Sequence, residues 1–117
     1  MAYKKYYGMN VEVLKSEEYA LVSVEGRVDT TNAGEFEKTM MEVIDGGANK
    51  IVLDCSALNY ISSSGLRVFL IVQKKMMAAK GHFSLCSLQP GIKEIFDISG
   101  FSSIFKVFPD QEASIKG

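Results

Sequence analysis

A chain of 117 residues that is 47% hydrophobic and 23% charged has ordinary globular composition and is long enough for one core without disulfide or metal staples. Its net charge is −1 and its lysines are scattered, with Lys4-Lys5 and Lys74-Lys75 only pairs, so no basic face points to nucleic acid. The longest apolar stretch, Val68 to Val72, is far short of a membrane span, and Met1 to Gly8 has charge and tyrosines but no apolar core of signal-peptide length. These features predict a soluble protein of a reducing compartment, one domain over residues 1–117.

Met9 to Leu14 alternates, with Val11 and Val13 opposite Asn10 and Glu12. Tyr19 to Val24 alternates better, with Ala20, Val22 and Val24 on one side. The short polar Lys15 to Glu18 between them predicts a hairpin without the favoured Asn-Gly turn. Gly26-Arg27-Val28-Asp29-Thr30-Thr31 then breaks the strand, and Asp29, Thr30 and Thr31 are all good helix N-caps. Ala33, Phe36, Met40, Val43 and Ile44 recur at helical spacing, and Gly46-Gly47 stops that helix.

Lys50 to Asp54 is rich in β-branched residues and reads as a central strand. A helix over roughly Ser64 to Ala79 follows, ending at Gly81. It is apolar over a wide arc through Leu66, Val68, Phe69, Leu70, Ile71 and Val72, which calls for broad cover by the rest of the fold. His82 to Leu88 is the fourth strand. Pro90-Gly91 opens a helix with Ile92, Ile95 and Phe96 on one face, and Gly100 ends it. Ile104 to Phe108 is a short fifth strand, and Pro109 begins a terminal helix reaching to about Ile115. The order β-β-α-β-α-β-α-β-α predicts an α/β fold: a mixed five-stranded sheet with about four helices packed on it.

The informative segment is Tyr60-Ile61-Ser62-Ser63-Ser64-Gly65-Leu66-Arg67, three serines where a strand hands over to a helix. A helix start has free N–H groups and a partial positive charge, so a serine there can cap, hold an anion or accept a phosphate. Ser62 or Ser63 is the expected cap, and Gly65 the expected point of close backbone approach. A nucleophile elbow needs G-x-S-x-G, and the first glycine is missing. The single histidine, His82, starts a strand on the far side of a helix from the serines, so a Ser-His-Asp constellation is not expected.

No Walker loop occurs. Asp54 lacks the companion carboxylates that Mg²⁺-dependent phosphoacceptor chemistry needs, and is expected to accept hydrogen bonds from loop N–H groups. Cys55 and Cys86 have no metal spacing and read as small buried hydrophobes. No catalytic residue, metal or cofactor is predicted. A phosphate on this turn would leave the helix content, because the dipole tolerates it, yet would repel a partner docked over the same surface.

Four ordered motifs along nearly the whole chain resemble the anti-sigma factor antagonists, the single-domain form of the STAS family. Gly26-Arg27-Val28-Asp29 with Ala33 resembles the family's G-x-[LV]-D-x-x-x-A turn. Ile51-Val52-Leu53-Asp54-Cys55-Ser56-Ala57-Leu58 resembles its central strand. Tyr60 to Arg67 resembles its phosphorylation loop. Gly81, Leu85-Cys86 and Pro90 to Phe101 resemble its closing segment.

The resemblance implies a regulator, not an enzyme. The unphosphorylated form binds an anti-sigma factor that is also a serine protein kinase, and frees the sigma factor. Phosphorylation blocks binding, and a serine phosphatase resets the switch, all in the bacterial cytoplasm, with only indirect control of transcription. The family's target serine, second before the glycine, falls on Ser63, with Ser62 the possible alternative. Many members have aspartate where this chain has Ser62, which leaves one negative charge fewer beside the target. Partner contact is expected through Asp29, Ser62, Ser63, Ser64, Gly65 and Leu66, in a monomer or weak dimer with no membrane insertion. The competing expectation is a non-switching STAS scaffold subunit of a signalling or membrane-transport complex, in which the serines only cap. A nucleotide-binding module is disfavoured by the missing glycine-rich loop.

Overall fold

Alternation in the first half of the chain builds the sheet. In the computed structural model, which describes residues 2–117, strand β2 (Met9–Lys15) pairs antiparallel with β3 (Ala20–Val28) in the register Val11↔Val24 and Val13↔Val22. Those four valines face one core, as the alternation predicts. Ser16 closes the hairpin: its hydroxyl accepts from the N–H groups of Glu18 and Tyr19.

The sheet has seven strands, not the five predicted, in the order β1-β2-β3-β4-β6-β7 with β5 beside β3. One added strand is β1 (Ala2–Tyr6), an edge strand antiparallel to β2 across a turn at Tyr7-Gly8. The other is β5 (Leu58–Ile61). Strand β3 also runs on through the predicted break. Gly26 holds φ +95° there, the Arg27 N–H donates to the Gly8 carbonyl at 2.9 Å, and the register to β5 shifts: Gly26 faces Leu58 and Arg27 faces Tyr60, which leaves Asn59 as the extra residue of a bulge in β5.

The first half of β3 pairs in parallel with β4 (Lys50–Asp54). Its second half pairs with β5 in the register Arg27↔Tyr60 and Val28↔Ile61. Strand β4 continues the sheet through β6 (His82–Cys86) to β7 (Lys106–Phe108). These last two strands are shorter than predicted. Ser87 turns out of the sheet with φ +60°, and Phe101–Ser103 forms a 3-10 turn ahead of β7.

Helices α1 (Ala33–Asp45), α2 (Ser63–Ala78) and α3 (Pro90–Ile98) share the main core with one face of the sheet. Phe36, Phe69, Phe96 and Phe105 pack there tilted or edge to face. The wide apolar arc of α2 is mostly covered: Val68, Phe69, Val72 and Met76 are buried, and Leu66 and Leu70 pack against the core. Ile95 departs from expectation. Ile92 and Phe96 are buried, but Ile95 is 48% exposed.

Helix α4 (Gln111–Lys116), capped by Asp110, lies over a smaller cluster of Leu21, Val52 and Cys86. Lys50 donates to the carbonyls of Ile115 and Gly117, and the hydroxyls of Ser84 and Ser114 meet at 2.6 Å. Both cysteines are free and buried, as expected. Burial pushes the Cys55 thiol well up. It pushes Cys86 to about 11, helped by the charge of Asp54, so neither is a ready thiolate. Asp54 plays its expected part: it accepts from the Ser56 N–H at 2.9 Å and from the Gln111 amide at 2.6 Å.

Candidate functional site

Strand β5 delivers the serines. Its pairing to β3 ends with the Ser62 N–H donating to the Val28 carbonyl at 2.9 Å, so Ser62 lies against the β3 end that leads into Asp29. The turn with Asp29 and the turn with the serines, more than thirty residues apart in sequence, are thereby joined by a few backbone hydrogen bonds.

Ser62 is the N-cap of α2. Its backbone is extended (φ −86°, ψ 173°), and its hydroxyl accepts from the Gly65 N–H at 3.2 Å. This settles the choice between Ser62 and Ser63 as the cap. Ser63 is the first helical residue and is exposed, while Ser64 and Leu66 are half-buried. The first turn carries no acidic side chain, so the positive end of the α2 dipole is uncompensated from within the helix. Gly65 is buried where only hydrogen fits: a Cβ there would stand 2.7 Å from Ile61 Cγ1 and 2.9 Å from Val28 Cγ1. The close approach expected of Gly65 is therefore what seats α2 on the ends of β3 and β5.

Asp29 is not the helix cap. Its Oδ1 accepts from the Thr31 hydroxyl at 2.6 Å and from the Thr31 N–H at 2.9 Å, and Arg27 Nε reaches its Oδ2 at 3.3 Å. The Thr31 hydroxyl above all, then the Thr31 N–H and the Arg27 guanidinium, hold the Asp29 carboxyl below the usual carboxylate range. It is therefore ionised at neutral pH, and whatever stability it contributes is lost only as pH falls through that lowered value.

The N-cap position of α1 belongs to Asn32, which makes no capping bond with its side chain. Asn32 is 2% exposed and acts as a pin: its amide donates to the carbonyls of Tyr7 at 2.8 Å and Arg27 at 2.9 Å, and its Oδ1 accepts from the Asp29 N–H. Sequence reasoning missed this residue because its partners lie in other elements. Its type, an asparagine at a strand–helix junction, was the available signal. Asn32→Ala leaves three part-buried backbone groups short of a partner. The expected loss is about 3 kcal/mol, read by urea denaturation. Arg27 and Tyr60 were also missed. The guanidinium lies over the Tyr60 ring, 4.6 Å from its centroid.

His82 is exposed at the start of β6, beyond the far end of α2, so no histidine serves the serines. A helix of 16 residues is about 24 Å long, too far for a proton relay. Among the described residues no cluster of three potential metal ligands occurs, and no helix is long and apolar enough to cross a membrane.

Residues 10–114 match the STAS domain family model. The chain belongs to the STAS domain family. A Bordetella bronchiseptica protein, BtrV, named as a candidate anti-sigma factor antagonist, is 39% identical over 106 residues, covering 91% of each chain. This STAS fold is also similar to the crystal structure of an anti-sigma factor antagonist from Mycobacterium paratuberculosis, with a TM-score of 0.85 at 20% identity over 92% of each chain. The Bacillus cell fate determinant SpoIIAA in its phosphorylated form superposes with a TM-score of 0.72 at 18% identity, covering 91% of this STAS chain and 96% of that one.

Proposed function

We propose that this chain is an anti-sigma factor antagonist that works by partner switching. Its unphosphorylated surface at Asp29 and Ser62 to Leu66 docks onto an anti-sigma factor that is also a serine protein kinase. Phosphorylation of Ser63 ends the docking, and a serine phosphatase restores it. The chain is a substrate and not an enzyme, acts in the cytoplasm where its kinase finds ATP, and touches no DNA.

One observation carries the reading. Ser62 spends its hydroxyl on the helix cap, while Ser63 stands exposed at the uncompensated start of α2, on the end of the sheet shared with Asp29. The division of labour between the two serines favours Ser63 as acceptor. A transferred phosphoryl group there meets helix N–H groups and a positive dipole end. The Bordetella relative, named as a candidate anti-sigma factor antagonist, and the phosphorylated form of SpoIIAA support the reading of an antagonist that is phosphorylated.

The test is fragment mass spectrometry after incubation with ATP and lysate of the source cell, followed by purification of the responsible kinase. One phosphate on Ser63 is expected, and none on Ser63→Ala. A phosphate on Ser62 alone moves the switch to the cap. Three unmodified serines under all conditions overturn the switch in favour of a constitutive scaffold.

A further inference from the structure

The helices cover the sheet unevenly. Helices α1, α2 and α3 share the main core with one face. On the other face α4 packs over β4, β6 and β7 and reaches Leu21, and among the described residues no helix lies over β1 and β2 or over most of β3. The valines of β2 and β3 point into the core, so Glu12, Leu14 and Glu25 point out of this uncovered face. The strand register sets them in rows across it, Lys5↔Asn10↔Glu25 and Tyr3↔Glu12↔Ser23↔Asp54. Tyr3, Glu12, Glu25 and Asp54 also line one cleft of about 130 Å³. Asp54 is committed to the Ser56 N–H and the Gln111 amide. Glu12 and Glu25, diagonal neighbours about 7–8 Å apart, belong to no ion pair among the described residues. Beside them Tyr3 is 57% exposed and Leu14 is 39% exposed. The face is anionic with an apolar border, and a cationic surface carrying one apolar side chain suits it.

The same chain carries that complement. Helix α2 has no Asp or Glu among its 16 residues. Its last turns present Lys74, Lys75 and Met77, all exposed, and neither lysine belongs to an ion pair among the described residues. Two long cationic side chains diverging by about 100° around the helix match two carboxylates about 7–8 Å apart. We propose that the acidic face of β1, β2 and β3 receives the Lys74, Lys75 and Met77 end of α2 from a second copy of this chain, with Met77 against Tyr3 and Leu14. Helix α2 lies on the opposite side of the sheet, so the two patches of one molecule point away from each other. The contact therefore joins copies head to tail in an open row, not as a two-fold dimer. Three strands about 4.8 Å apart make a patch well under the 800 Å² or so that each partner of a stable complex covers, so the association is weak, with a Kd on the order of 1 mM. The contact uses neither Asp29 nor the serine turn, since Lys74 stands about 16 Å along α2 from Ser63, and it is independent of the docking reading.

Sedimentation velocity of the whole chain tests this at about 0.05 to 2 mM protein, in about 0.01 M salt, where charges reach roughly 30 Å, and in about 1 M salt, where they reach roughly 3 Å. The weight-average mass is expected to rise with concentration in low salt and to return to that of the monomer in high salt. Glu12→Lys/Glu25→Lys and Lys74→Glu/Lys75→Glu are each expected to weaken association at least about 10-fold, and an equimolar mixture of the two to restore it. Asp45→Lys/Glu94→Lys makes the same charge change at exposed positions outside both patches and is expected to stay within about twofold of wild type. Melting curves accompany every variant, and Gln at the same four positions takes over where a charge reversal lowers the melt. A wild type that is monomeric throughout in low salt overturns the proposal. So does association that survives high salt, that either charge-reversed pair retains, or that Asp45→Lys/Glu94→Lys loses equally. A monomer that binds hexa-arginine through Glu12 and Glu25 overturns the second copy as occupant in favour of a foreign cationic partner.

Discussion

Ser63→Asp is expected to melt within about 1 kcal/mol of wild type and to bind its kinase at least about 100-fold more weakly. The two halves of this result have different origins. In the free protein a carboxylate at the first position of α2 faces a helix start with no acidic residue of its own, where a negative charge is favoured by about 0.3–1 kcal/mol. The cap is untouched, because Ser62 supplies it. In the proposed complex the same carboxylate would lose its water, and without a partner cation beside it this costs several kcal/mol against the 2.8 or so that 100-fold requires. Calorimetric titration beside a thermal melt separates the two. Retained binding by the stable variant sinks the electrostatic switch, and a collapsed melt removes the premise that the helix start accepts charge.

Gly26→Ala is expected to cost about 3 kcal/mol, a fall in melting temperature on the order of 10 °C. Gly26 holds φ +95°, and a Cβ on it would stand 2.4 Å from the Gly8 carbonyl oxygen, a backbone atom that cannot step aside. Gly26 stands where β3 changes partner from β4 to β5, opposite the bulge in β5, so the damage also reaches the register that brings Asp29 to the serines. Gly34→Ala is the control. A Cβ there meets nothing within 4 Å and lies inside α1, so that variant is expected to be neutral or slightly stabilising. A Gly26→Ala protein that unfolds within 1 kcal/mol of wild type in urea refutes this account of Gly26.

Much of this architecture is legible in the residues alone. Alternating valines in β2 and β3, the helical spacing from Ala33 to Val43, the β-branched run of β4 and the serine-to-helix junction each follow from local periodicity, since one buried face selects one pattern. The ordered motifs likewise sufficed for the family. What stayed hidden depends on neighbours distant in sequence. Strand β1 is an edge of lysines and tyrosines whose one packed partner, Tyr6, gives no alternation to read. Strand β5 has four residues, of which only Leu58 and Ile61 are buried, an irregular spacing that goes with Asn59 being the extra residue of the bulge opposite Gly26 and Arg27.

Helical periodicity placed Ile95 with Ile92 and Phe96, and the fold leaves it beside an open cleft because the opposite wall, β5, covers that side of α3 only in part. Asn32 and Arg27 are ordinary polar residues until the β1–β2 turn and β5 arrive beside them. The chain by itself determined five of the seven strands, the four helices and which serines stand at a helix start. The tertiary register alone decided that Ser62 caps, that Ser63 stands free, and that Asp29, Arg27 and Tyr60 share their surface. Local sequence specifies the burial of a face, whereas a site assembled across strands exists only once backbone pairing has fixed which distant residues meet.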